Sequence, residues 1–172
     1  MPRLALRHMH PDVTIFSIHV CLLQTYTIVP LEQFKADPEN AEKLQYPTET
    51  FLLHKDGHTP TSKRPKTDSR VLFADRGHSS TGSPNNGIAQ FSWEPGRIRL
   101  PDDHHARPSK APQTLSPFDI QHSLSIRIFF SVRGESMDGE KIEGDDDTGE
   151  MRMLVINQPE QISSVCSSQP VQ

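Results

Sequence analysis

Apolar positions along this chain recur mostly with period two, and the pattern lays out a series of strands. Residues 12–29, DVTIFSIHVCLLQTYTIV, put Phe16, Ile18, Val20 and Leu22 on one face, continued by Tyr26 and Ile28. Val13, Ile15, Cys21 and Leu23 fall on the other, with Ser17 and His19 between them. Alternation in a segment this rich in β-branched side chains predicts one long strand, half buried at its middle and more fully buried near Cys21. The cleanest alternation is at 122–132, where Leu124, Ile126, Ile128, Phe130 and Val132 interleave with Ser123, Ser125, Arg127, Phe129 and Ser131. It predicts a sandwich strand with one buried and one mostly wet face. Further strands are expected at 48–54, ending at the Asp56-Gly57 turn, and at 70–74, 88–93, 97–100 and 151–156, with a last short one at 161–165. Residues 31–46 read as a short helical turn or an ordered loop, because Pro38 divides them.

Strands joined by turn-rich connections, with no interleaved helices, imply an all-β chain: an immunoglobulin-like antiparallel β-sandwich with long loops. The strands at 122–132 and 151–156 form a natural antiparallel hairpin with a long acidic tip. The expected organisation is a frayed or disordered start at 1–10, a sandwich over 11–166 and a disordered tail at 167–172. Mobile loops are expected at about 57–69, 75–87, 101–117 and 134–150, where Gly, Pro, Ser and Asn concentrate.

Composition sharpens this in three ways. The 172 residues suffice for one domain, but 33% hydrophobic content and 15 prolines assign much of the chain to loops. A net charge of −4 lacks the basic excess with which general nucleic-acid binders displace counterions. Cys21 and Cys166 have no CxxC spacing and read as reduced thiols of a cytosolic protein. The opening residues lack a continuous apolar core, so no secretory signal is expected, and the apolar run at 20–23 is too short to span a bilayer.

The candidate chemistry is thin. His8 and His10, His54 and His58, and His104-His105 are isolated pairs without cysteine partners, and solvated loop histidines explain them better than zinc. Asp145-Asp146-Asp147 lacks the spaced donors and closing glutamate of a calcium loop. No GxSxG elbow, Cys–His signature or glycine-rich phosphate loop occurs. No catalytic residue, cofactor or metal is therefore expected. Lys63, Arg64 and Lys66 form a small basic cluster, either a patch for a partner or anionic surface or a solubilising loop.

Four segments, in order, resemble the carboxy-terminal domain of fungal arrestin-related proteins. They are Pro11-Asp12-Val13-Thr14-Ile15 running on to Tyr26, then Arg97-Ile98-Arg99-Leu100-Pro101 followed by Arg107-Pro108-Ser109, then Phe118-Asp119-Ile120 into the alternating strand, then Met151-Arg152-Met153-Leu154-Val155-Ile156. The resemblance implies a non-enzymatic adaptor that links cytoplasmic tails of membrane proteins and trafficking factors to ubiquitin-dependent endocytosis, in the cytoplasm and peripherally at plasma membrane or endosomes. It also implies a domain incomplete at its amino-terminal end, since only ten residues precede the DVTI-like strand. Tyr26 and Tyr46 lack preceding prolines, so the proline-tyrosine motif by which such adaptors recruit ubiquitin ligases is missing. The alternative is a structural remnant or a generic protein-interaction sandwich.

Overall fold

The computed structural model describes residues 4–9, 12–65, 89–102, 105–109, 115–144, 148–160 and 162. Among these it is an all-β chain of antiparallel sheets, of the sandwich class. Strands β1 (Leu4–Met9), β2 (Val13–Ile28), β3 (Leu44–Gln45), β4 (Glu49–Gly57), β5 (Ala89–Trp93), β6 (Phe118–Val132) and β7 (Arg152–Glu160) are accompanied by one short helix, α1 (Leu31–Ala36). β1 pairs with β5; the larger sheet runs β3-β2-β6-β7, with β4 also pairing β2. Among the described residues no helix is long and apolar enough to cross a membrane. The expected strands at 70–74 and 161–165, Lys66 and Asp145-Asp146-Asp147 lie outside the described residues, save an irregular Ile162.

The chain divides into two compact units. The first takes its described residues from Met1–Val20, His54–Arg99 and Ile126–Ile156. Its core is Phe16, Ile18, Val20, Trp93, Ile128 and Val132, with Leu4. β1 occupies a stretch read as a frayed start: Leu4 stands opposite Trp93 and Leu6 opposite Phe91, with a register irregularity before Met9↔Ala89. The apolar alternation Leu4/Leu6 is only two residues long, too short to stand out between flanking arginines. Trp93 donates from Nε1 to the buried Asp56 carboxylate at 2.8 Å, so Asp56 anchors a core indole rather than opening a turn. β4 runs three residues past its expected end and closes at Gly57, whose φ of 75° suits glycine. Residues 97–100 form no strand; Pro95-Gly96 and Pro101 break the ladder on both sides and leave Leu100 exposed.

The described parts of the connection after β6 are tied together by backbone hydrogen bonds. Ser136 N–H bonds Glu140 O, Ile142 N–H bonds Gly134 O, and Gly134 N–H bonds Thr148 O. Gly134 and Gly139 take positive φ at its corners. Gly149, buried beside β6, approaches so closely that a Cβ there would lie 2.0 Å from the Val132 carbonyl oxygen.

The second unit takes its described residues from Cys21–Leu53, Leu100–Ser125 and Asn157–Gln172. Cys21, Leu22, Gln24, Val29, Ala106, Ile120, His122 and Ser125 are its buried set. β3 pairs β2 through Thr27↔Gln45 and Ile28↔Leu44. α1 stops after one and a half turns, before Asp37-Pro38.

Strand β6 departs from the expected one-face pattern. His122, Ser125 and Ser131 are buried while Leu124, Ile126 and Phe130 are only half-buried. β6 lies inside its sheet, between β2 and β7. Small hydroxyl side chains are packed there along with the apolar ones, so neither face is mostly wet.

Candidate functional site

The densest polar arrangement lies in the second unit and centres on Gln24. Its Oε1 accepts the Arg107 backbone N–H at 2.9 Å and faces His122 Nε2 at 2.8 Å. Its Nε2 has two hydrogens shared among Tyr26 Oη at 2.5 Å, Glu49 Oε2 at 3.1 Å and His105 O at 3.1 Å. Because Oε1 only accepts, His122 carries its proton on Nε2, and Nδ1 accepts from Ser109 Oγ at 2.8 Å. Burial holds the His122 imidazole below its ordinary range, which keeps it neutral.

Serine, histidine and an amide in a line resemble a nucleophile relay, but the bonding is that of a staple. Ser109 Oγ also accepts the Ile162 N–H at 3.0 Å, and Ser109 N–H bonds Ile162 O at 2.8 Å. A neutral amide behind the ring supplies no charge to stabilise an imidazolium. The Arg107-Pro108-Ser109 element thus pins its loop to β2, β6 and Ile162. Among the described residues no three His, Cys, Asp or Glu side chains gather where a metal ion would sit.

The basic cluster lies in the first unit and is held from within. Arg64 reaches Glu150 Oε1 from Nε at 3.2 Å and from a terminal nitrogen at 3.1 Å. The Met137 N–H and Arg64 hold the Glu150 carboxyl below its usual range. Lys63 offers its backbone carbonyl to the Met151 N–H. The structure therefore places Arg64 in an ion pair and Lys63 beside it.

The strongest candidate for recognition is strand β7. Among the described residues it ends the sheet, and every residue from Met153 to Glu160 is exposed. Met153 and Val155 fall on one face, Leu154 and Ile156 on the other, with exposures from 53% down to 38%. Sheet ends normally carry lysines, bulges or covering elements; four bare apolar residues in succession on an end strand are unusual. Met153 and Leu154 also line an open hollow with Phe129, Phe130, Met137 and Met151.

Backbone direction defines the free edge. Glu150 sends its N–H to Glu135 O, and Met151 sends its own the opposite way to Lys63 O. Regular alternation carried into the strand predicts Leu154 and Ile156 directed toward β6 and Met153, Val155 and Asn157 outward. Pro159 falls at an outward position, where its missing N–H breaks no ladder bond.

No protein-family model, curated protein or solved structure matches this chain.

Sequence reasoning found the β7 strand but not its exposure. The consecutive Met153-Leu154-Val155-Ile156 followed by Pro159 was the available signal, since unbroken apolar residues beside a proline suit an edge. Gln24 and His122 were read as ordinary strand positions. A lone glutamine in CLLQTY and a histidine two residues after Ile120 were the only hints of their network.

Proposed function

We propose that this chain is a non-enzymatic protein-interaction module that takes an extended partner segment as an added strand along β7. The observation that carries the reading is the run of exposed residues Met153–Glu160 on the last strand of the sheet. An added strand meets the outward N–H and C=O groups of Met153, Val155 and Asn157. Its alternate apolar side chains cover Met153 and Val155 on one face or Leu154 and Ile156 on the other. Main-chain bonds give such a site affinity for any extended segment; the hollow beside Phe129 and Phe130 adds preference for a large apolar side chain.

The resemblance to arrestin carboxy-terminal domains supports the finer reading. On it, the partners are cytoplasmic tails of membrane proteins and trafficking factors, and the module is an adaptor in ubiquitin-dependent endocytosis. It works in the cytoplasm and peripherally at plasma membrane or endosomes. The test is a binding titration of the purified chain against synthetic tail peptides with alternating apolar residues. Saturable binding that falls at least about tenfold for Val155→Pro supports strand addition. Equal binding by the proline variant removes β7 as the site, and failure of every tail peptide removes the adaptor reading.

A further inference from the structure

The second unit carries another surface that β7 does not explain. Tyr26, Tyr46, Pro47, Glu49, Arg107 and Phe118 line an open groove of about 550 Å³. Both tyrosines of the chain are here. Tyr26 and Phe118 stack with centroids 5.9 Å apart and planes 29° from parallel. Tyr46 is 49% exposed and Phe118 40%, so two large rings face solvent. With 6% aromatic residues in the chain, three rings and a proline at one surface groove are a marked concentration.

Each polar group at the rim has a defined state. Tyr26 donates its hydroxyl hydrogen to Glu49 Oε2 at 3.1 Å, and the same oxygen accepts from Gln24. Burial and then Glu49 raise the Tyr26 hydroxyl above its ordinary range. The Glu49 carboxylate is thus already met by two donors. Arg107 is different. Its backbone N–H is fixed by Gln24, while its exposed guanidinium carries a charge that also acts on the neighbouring Tyr26 hydroxyl.

We propose that this groove binds a proline-rich segment in the polyproline II conformation that carries an acidic side chain at the Arg107 end. A polyproline II helix has no internal hydrogen bonds and is already rigid, so it docks on aromatic surfaces at low entropic cost. Prolyl rings pack against Phe118, Tyr46 and Pro47, and the Tyr46 hydroxyl is placed to donate to a peptide carbonyl. Arg107, anchored through its backbone with its guanidinium exposed, selects an Asp or Glu and sets the direction of the chain.

The test uses the full chain and a fluorescein-labelled peptide of consecutive prolines ending in Asp-Glu, followed by anisotropy. Comparison peptides end in Lys-Lys, or replace the prolines by Gly-Ser. Saturable binding of the acidic proline peptide is expected, with Tyr46→Ala weakening it about tenfold. Arg107→Gln, which keeps the backbone bond to Gln24, weakens it about threefold to tenfold, a difference that shrinks as salt rises. Val155→Pro leaves this binding unchanged, which separates the groove from β7. Equal binding of the Lys-Lys or Gly-Ser peptide overturns the proposal. So does indifference to Arg107→Gln, or no binding by a chain with a wild-type thermal melt.

Discussion

Replacing Gln24 by leucine tests whether the second unit is organised by its amide. The side chain is fully buried, and leucine fills nearly the same volume without either polar end. The change strips the acceptor from the Arg107 N–H and from His122 Nε2, and the donor from His105 O. Tyr26 and Glu49 still have each other and solvent. Each buried group left without a partner costs about 1–3 kcal/mol, and burying leucine returns part of that, so the net loss is about 2–4 kcal/mol. Urea unfolding followed by far-UV circular dichroism reads the loss as a lower midpoint at unchanged slope. His122→Leu alone and the double variant complete a cycle whose coupling is about 1 kcal/mol or more. A Gln24→Leu variant within about 0.5 kcal/mol of wild type, or additive single variants, would refute the network.

Three further outcomes follow from the same geometry. Gly149→Ala forces a methyl against the Val132 backbone, which has no flexible side chain to yield; a loss of about 2–3 kcal/mol is expected in denaturation followed by the fluorescence of Trp93, and less than about 0.5 would contradict the close approach. His122 titrates below its ordinary value of 6.5 because it is buried, so the unfolded chain binds its proton first. The stability it contributes is complete above about pH 6.5 and is lost as pH falls through the folded-state value. His19 is lowered as well, by burial and then by Lys55 and Arg127. His122→Asn should therefore make the decline of stability below pH 6.5 shallower without flattening it, and an unchanged decline would count against a buried neutral ring. Ser131 buries a hydroxyl that no described residue meets with a hydrogen bond; Ser131→Ala should raise stability by up to about 1 kcal/mol, and a loss of that size would point to a bond at this hydroxyl.

Much of the fold was legible because period-two patterning survives wherever a strand is long. The alternation from Phe16 to Ile28 is long enough to be unambiguous, and β2 spans Val13–Ile28. Strand β5 and the hairpin of β6 with β7 were readable for the same reason. Legibility failed where tertiary partners override local pattern. β1 has two leucines to advertise it and owes its place to Trp93 and Phe91 across the ladder. Asp56-Gly57 has the composition of a turn, yet the carboxylate is needed by the Trp93 indole. Ser125 and Ser131 looked wet on β6, but this strand buries small hydroxyl side chains along with Ile120, Ile128 and Val132. Of the candidate sites, Lys63 and Arg64 were visible as charge, but Glu150, 86 residues on from Arg64, was not visible as its partner. The bare edge of β7 depends on strand order, which alternation alone does not encode.

On the proposed reading, β7 offers a partner strand an ordered edge that no described strand pairs. Amide hydrogen exchange, resolved residue by residue by NMR, tests it in the free chain and after adding an alternating apolar peptide. In the free chain the N–H groups of Leu154 and Ile156, directed at β6, should be protected, while those of Met153, Val155 and Asn157 exchange freely. On addition of peptide the outward three should gain protection, by about tenfold or more at saturation, with little change at the inward two. Protection of Met153, Val155 and Asn157 already equal to that of Leu154 and Ile156 in the free chain would contradict the open edge. Binding that leaves all five unchanged would contradict strand addition.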